Sequence, residues 1–280
     1  MDINGWKYYK HAAIPSTPPH EKVNEATLYD GSIWKIGPKT LFARWTYDFD
    51  CGEETEWWYT ILDQKFDINS IKSKRRSEIN KGLKNFEVKR VDPCEYKEGF
   101  YEVTVAAYST YPEEYRPTVD KEQFYDGLQS LSSKIVYAAF SVETGEMASY
   151  AWLSDEKSYY EFVMLKSSPA YEKQAVNAAI VYRIVEDCAD KFGNDNFYIC
   201  DGERNLVHQT AFPAYLEKYF TFRKAYCRLN LMYRFPLGIV VSLLYPFRSW
   251  FRKRKGRLKL IGSILFMEEA KRHCAIKGNQ

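Results

Sequence analysis

Two carboxylates sit inside segments that read as β-strands. Glu161 lies among aromatic and apolar neighbours in SYYEFVML, on a face with Tyr159 and Val163, and Asp201 closes the apolar run FYIC at the start of DGERN. Burial disfavours the charged form of an acid and raises its pKa, so a strand-embedded carboxylate can act as a base near neutral pH. Each also has an ordinary reading, Glu161 as a solvated residue on a sheet edge and Asp201-Gly202 as turn chemistry. Arg204, Asn205 and His208 follow closely, and His208 either relays a proton near neutral pH or simply opens a helix. Tyr215 and Tyr219 stand one helical turn apart in HQTAFPAYLEKYF, where a phenol either protonates a leaving group or packs. Lys74, Arg75 and Arg76 cluster at the start of a predicted helix, which suits an anionic ligand or a solvated face.

Common signatures of nucleotide, zinc-protease and serine-hydrolase chemistry are missing: the chain has no GxxxxGK[ST], HExxH, GxSxG or GxGxxG. Tyr47-Asp48-Phe49-Asp50 contains the DxD triplet with which glycosyltransferases hold a metal-bound nucleotide sugar, but no nucleotide-binding βαβ pattern precedes it. The six cysteines, at positions 51, 94, 188, 200, 227 and 274, form no CxxC pair and no zinc spacing. Neither a disulfide framework nor a metal is therefore expected. The opening MDINGWKYYKHAAIP has no basic start followed by a continuous apolar run, so a cytoplasmic location is the expectation.

The elements around these residues must position them. With 280 residues, 45% of them apolar and 28% charged, the chain can bury a full core unaided. Residues 1–35, with Pro15, Pro18 and Pro19, read as an irregular lead-in. TLFARWTYDF and EWWYTILD flank the acidic DCGEETE and read as a hairpin or two nearby strands. A helix begins near Asn69 or Ser70 with Ile71, Ile79 and Leu83 on one face, and EVKRV returns to strand. EYKEGFYEVTVAAYSTY and DKEQFYDGLQSLS are helical and are split between Pro112 and Pro117. KIVYAAFSV, MASYAWLSD and SYYEFVML make three antiparallel strands. A long helix starts near Tyr171, carrying Val176, Ala179, Ile180, Ile184 and Cys188 at three- and four-residue steps. A buried strand (NFYICDG), the helix of Tyr215, and a final strand (FRKAYCRLNLMYR) complete the succession.

Charge is distributed unevenly. The net charge is +3, yet residues 222–280 hold 14 Lys and Arg against only Glu268 and Glu269. Within that tail, FPLGIVVSLLYPFRSWF runs directly into RKRKGRLK. The apolar stretch is shorter than the ~20 residues a bilayer span needs. It is suited to lie in the headgroup region, with its cations on anionic lipid. The alternatives are a pair of C-terminal helices closing the core, and cations on nucleic acid phosphates.

This order of elements, ending in Leu216-Glu217-Lys218 and Thr221-Phe222, resembles the Gcn5-related N-acetyltransferase superfamily. SKRRSEINKGLKNFEVKRV and DGERNLVH are similar to its FemAB-like branch of bacterial acyltransferases. The resemblance covers roughly residues 40–235. It implies an α+β fold, with an acetyltransferase-like mixed, mainly antiparallel sheet flanked by helices, a β-rich N-terminal extension and C-terminal amphipathic helices. The divisions expected are 1–92, 93–235 and 236–280. It implies transfer of an acyl group to an amine or hydroxyl, with donor and acceptor meeting between splayed central strands. Glu161, Asp201, His208 and Tyr215 would then be catalytic, and Arg75, Arg76 and Tyr159 would bind substrate. The co-substrate would be acyl-CoA (acetyl-CoA), held by Ser167, Ser168, Arg204 and Asn205. The glycine-rich pyrophosphate loop of acetyl-CoA enzymes is replaced here by LKSSPAYEKQA, and an aminoacyl-tRNA donor, as in FemAB enzymes, is the alternative. With the tail, this gives an acyltransferase peripherally associated with the inner membrane, acting on an envelope or lipid-linked glycan acceptor. A DxD glycosyltransferase and a non-catalytic membrane scaffold are the remaining alternatives.

Overall fold

A computed structural model describes residues 2–194, 196–204, 210–252, 254 and 256–276. In chain order the strands and α-helices are β1 (Asp2–Ile3), β2 (Trp6–Tyr9), β3 (Ala12–Pro15), α1 (Ala26–Tyr29), β4 (Phe42–Tyr47), β5 (Trp57–Leu62), α2 (Ser73–Asn85), β6 (Phe86–Arg90), α3 (Lys97–Ser109), α4 (Lys121–Leu128), β7 (Ile135–Ser141), β8 (Met147–Asp155), β9 (Tyr159–Ser167), α5 (Pro169–Glu172), α6 (Val176–Asp187), β10 (Tyr198–Glu203), α7 (Phe212–Phe220), β11 (Arg223–Tyr233), α8 (Leu237–Leu244), α9 (Arg248–Arg252) and α10 (Arg257–Ile276). The chain forms two compact units. One comprises Met1–Thr60, Glu203–Thr210 and Lys224–Gln280, the other Ile61–Gly202 and Ala211–Arg223.

The second unit holds the sheet order β10-β9-β8-β7-β6. Its pairs are antiparallel except for β10 with β9, which is parallel. Val136, Tyr137, Ala138 and Ala139 are buried in succession along β7, so both faces of the strand are covered. On one face lie Ile79 of α2, Val176, Ile180 and Ile184 of α6, and Leu216 and Phe220 of α7. On the other, Phe100 and Val103 of α3 and Leu128 of α4 pack with Val136 and Tyr150. Each fully buried aliphatic contributes about 1.5–3 kcal/mol. The order expected across this region, two helices, three antiparallel strands, a helix, a strand and a helix, is the order found. The long helix expected from Tyr171 is broken. Ala175 adopts φ 66° between α5 and α6, and a Cβ at Gly82 of α2 would fall 2.5 Å from the Ala175 carbonyl oxygen. Only glycine lets α2 approach α6 this closely.

In the first unit the strand order is β1-β2-β3-β4-β11-β5. Two expectations are corrected. The lead-in is not irregular, because β2 pairs with β3 and β3 lies parallel to β4, burying Trp6, Ala12 and Ala13. Nor do β4 and β5 form a hairpin, because β11 is inserted between them. The tail supplies α8, α9 and α10, of which Val241, Phe251, Ile264, Leu265 and Cys274 pack with Leu229 and Leu231 of β11.

Candidate active site

The parallel ladder between β9 and β10 is short. Tyr198, Ile199 and Cys200 pair with Tyr159, Tyr160 and Glu161, while β9 continues to Ser167 and β10 to Glu203. The two strands thus share three register positions and then cease to pair. Their parting begins at Glu161 and Asp201. Gly202, at φ 86°, turns β10 here, and a Cβ on it would stand 3.2 Å from Glu161 Oε1. Glycine admits both the left-handed backbone and the close carboxylate. Between its pairings with Trp152 and Leu153 of β8, β9 also carries an extra residue, since Trp152 faces Met164 while Leu153 faces Phe162. Such a bulge re-aims side chains and ends regular pairing.

Tyr160 and Phe162 enter the core on the α6 side. Strand alternation therefore points Glu161 and Tyr159 to the other face. Tyr159 is buried and stacks on Tyr198 with ring centroids 4.9 Å apart. Burial, and next the Glu161 charge, pushes its phenol pKa up. The Asp201 carboxyl is likewise raised, from 3.8 to about 7, by burial first and the Glu161 charge second. A carboxylate with that pKa is divided between acid and base at neutral pH, which is the condition for general base catalysis. Of the residues singled out in the sequence, Glu161 and Tyr159 thus share one face of β9 where the strands part, while Asp201 alternates with Ile199 toward the α6 side of β10 and is linked to Glu161 through its charge.

The remaining candidates lie elsewhere. Tyr215 is on α7, stacked against Tyr219 at 4.7 Å and packed on the α6-side core. Its hydroxyl is buried and has no hydrogen-bond partner among the described residues. Burial, then Glu78 and Tyr219, pushes its pKa up, while Tyr219 donates to Glu78 Oε2 at 2.7 Å. The Ser167 hydroxyl donates to Asn177 Oδ1 and lies 2.7 Å from Ser149 Oγ. Ser168 caps α5, and its amide donates to the Ala148 carbonyl at 2.9 Å. In the loop that follows, the amides of Tyr171, Gln174 and Ala175 all bond within the loop. Arg204 belongs to the first unit, where its guanidinium donates to the Glu56 backbone and carboxylate at 2.6 Å and lies over the Trp58 ring. Arg75 and Arg76 are on α2; Arg75 donates to the Lys218 carbonyl and Arg76 to Asn69. Asn205 and His208 lie outside the described residues.

Sequence reasoning missed Lys166. It lies on β9 beyond the bulge, in a cavity of about 310 Å³ whose lining includes Thr104, Tyr108, Tyr150, Trp152 and Met164. Its ammonium stands 4.0 Å from the Tyr108 ring centroid, and burial lowers its pKa despite the opposing Tyr111. Among the described residues it has no ion pair. A lysine near a strand end reads in sequence as solvated, and only the packing of α3 over β8 and β9 encloses it. No group of three His, Cys, Asp or Glu among the described residues could hold a metal ion.

Neither the models of known protein families nor the curated proteins searched contain a match. Solved structures do resemble the chain. FemX is similar at 12% identity and a TM-score of 0.47, over 68% of this chain and 64% of that one. The chain thus spans less than two thirds of FemX. The C-terminal domain of an Agrobacterium fabrum protein described as a lysylphosphatidylglycerol synthetase is similar at 9% identity and a TM-score of 0.48, over 85% and 82%. A GCN5-related N-acetyltransferase-like protein from Streptococcus suis is similar at 12% identity and a TM-score of 0.37, over 80% and 79%.

Proposed function

We propose that this chain transfers an acyl or aminoacyl group from an activated thioester or ester to an amine or hydroxyl acceptor, with Asp201 as the base. The acceptor's nitrogen or oxygen attacks the donor carbonyl carbon, its proton passes to the Asp201 carboxylate, and the carbon–sulfur or carbon–oxygen bond to the leaving group breaks. Glu161 acts through Asp201, because its negative charge keeps the neighbouring carboxylate basic enough to accept that proton. The observation that carries the reading is the end of β9–β10 pairing at Glu161 and Cys200, beside an aspartate whose pKa lies near 7. Tyr159 would line the opening, and the Lys166 cavity, on the same face of β9 as Glu161, would receive an anionic part of the acceptor. The test is multiple-turnover kinetics of Asp201→Asn, with loss of the step between pH 5 and 8 expected. Unchanged turnover would remove the assignment.

For the donor, a second reading has its own support. The loop after β9 places three amides in its own turns and binds the Ser167 hydroxyl internally, while Gly82 packs α2 on the start of α6. A pyrophosphate cradle is thereby diminished, which favours an aminoacyl-tRNA ester over acetyl-CoA. Titration with each donor separates the two: saturation by micromolar acetyl-CoA supports the thioester, and single-turnover transfer from aminoacyl-tRNA supports the ester. The acceptor we take to be an envelope or polysaccharide precursor, with the chain held peripherally at the inner membrane through residues 236–280. The support is the cationic, apolar composition of that segment. No helix among the described residues is long and apolar enough to cross a membrane.

A further inference from the structure

The helical run from α8 to α9 has two apolar faces. Val241, Leu244, Tyr245 and Phe251 turn inward onto the core of the first unit. The other stripe, at three- and four-residue steps, is Ile239, Leu243, Phe247 and Trp250, and Leu243, Phe247 and Trp250 are 68%, 61% and 50% exposed. Phe235, just before the run, is 83% exposed. Large apolar side chains left in a row on one face mark an interaction surface rather than scattered chance. Next to this stripe, α9 and α10 enclose a pocket of about 170 Å³ lined by Arg252, Arg254 and Lys259 with Ser263 and Phe266. The Arg254 guanidinium stacks on Trp250 at 4.0 Å, joining the pocket to the stripe. Glu269 pairs with both Arg248 and Arg252.

We propose that this face docks on an anionic phospholipid bilayer, with Leu243, Phe247 and Trp250 entering the acyl boundary and the Arg252–Arg254–Lys259 pocket holding one lipid phosphate. The inference deepens the membrane part of the reading above and is independent of the chemistry at Asp201. Charge complementarity selects the occupant. A protein groove would satisfy the apolar stripe alone, whereas a bilayer of anionic lipid offers hydrocarbon and phosphate at the two adjoining depths this face presents. Tryptophan and arginine are the side chains that favour that boundary.

Flotation of the full chain with vesicles tests it. Binding is expected to phosphatidylglycerol-containing vesicles, weakening as salt rises, and much less to pure phosphatidylcholine. Leu243→Asp/Phe247→Asp should reduce the partition coefficient at least tenfold; both positions are exposed, and an unchanged circular dichroism spectrum checks folding. Arg254→Ala should cost about fivefold on anionic vesicles and leave the weak neutral binding as it was. Millimolar inorganic phosphate should compete weakly; if it alone saturates the pocket and vesicles do not bind, the site is one for free phosphate and the proposal fails. It fails likewise if the double variant floats like the parent, or if the parent is a stable dimer that the double variant makes monomeric without any lipid dependence. Turnover on a water-soluble acceptor, measured in parallel, separates loss of docking from loss of the transfer reaction.

Discussion

Asp201 and Glu203 stand two residues apart on β10 and meet opposite treatment. In the first unit, Glu203 is ion-paired with Arg44 and accepts a hydrogen bond from Tyr59 at 3.5 Å; Tyr59 lies 3.2 Å from the Thr46 hydroxyl, which also receives Trp57 Nε1 at 3.3 Å. Arg44 and Glu203 thus serve as each other's counter-charge. In the second unit, burial and the like charge of Glu161 act on Asp201 together, with no cation among the described residues in opposition. The contrast separates a carboxylate that fastens strands from one whose pKa is raised toward neutrality, the one proposed as the base. It is broken most directly by Asp201→Asn, which should lower kcat by about 10²–10⁴-fold while stabilising the fold. The sign follows from the raised pKa. A carboxyl with a folded pKa of about 7 against 3.8 favours folding most below pH 4, and loses that contribution as pH rises to 7. The asparagine variant should therefore gain on the order of 4 kcal/mol at most over the parent at pH 8, and nothing below pH 4, as read by urea denaturation at both pH values. A variant that is slower and also less stable at pH 8 would place Asp201 among the fastening carboxylates.

The other side of the comparison is tested by Arg44→Met. Removing the cation leaves Glu203 without its ion partner in a partly buried setting, at a cost of about 3 kcal/mol. The activity of the molecules that remain folded should be unchanged. Denaturation midpoints and kcat per folded molecule report the two effects separately. A large drop in kcat with intact stability would mean that the Arg44–Glu203 pair takes part in the reaction.

The same split governs what could be read from the sequence. The three strands β7–β9 and their helices were legible because neighbours in sequence are neighbours in the sheet, so alternation and turn residues carry the pairing. Of the two readings of β4 and β5, the hairpin fails and the pair of nearby strands holds, because β11, more than 160 residues further on, lies between them, and no local pattern announces so distant a partner. The break at Ala175 lies where Gly82 of α2 comes close to the Ala175 carbonyl, a contact that the local sequence does not announce. Glu161 and Asp201 were legible as acids among apolar strand residues. The pairing of Glu203 with Arg44, 159 residues away, was not, and neither was the enclosure of Lys166 by α3.

Lys166 yields the next largest effect. If its cavity receives an anionic group, Lys166→Met removes the cation while keeping most of the apolar stem, so KM for an anionic acceptor should rise roughly tenfold, the effect of about 1.4 kcal/mol, with kcat nearly unchanged. An uncharged acceptor should not distinguish the variant from the parent. If KM for both acceptors is unaltered, the ammonium serves only its contact with Tyr108.

Glu161→Gln should have the smallest effect and is the most discriminating. Burial is the larger cause of the Asp201 shift and Glu161 the smaller, so removing the charge should let the Asp201 pKa fall only part of the way toward 3.8. The acid limb of the rate profile would move to lower pH, and the plateau above it would decline modestly as the base weakens. A direct role predicts something different. If Glu161 itself took the proton, the limb would vanish with the carboxylate and the plateau would collapse, while Asp201→Asn would leave a limb in place. The two profiles, measured side by side from pH 4 to 9, assign the proton to one carboxylate or the other, because only the group that receives it can abolish the limb when it is replaced.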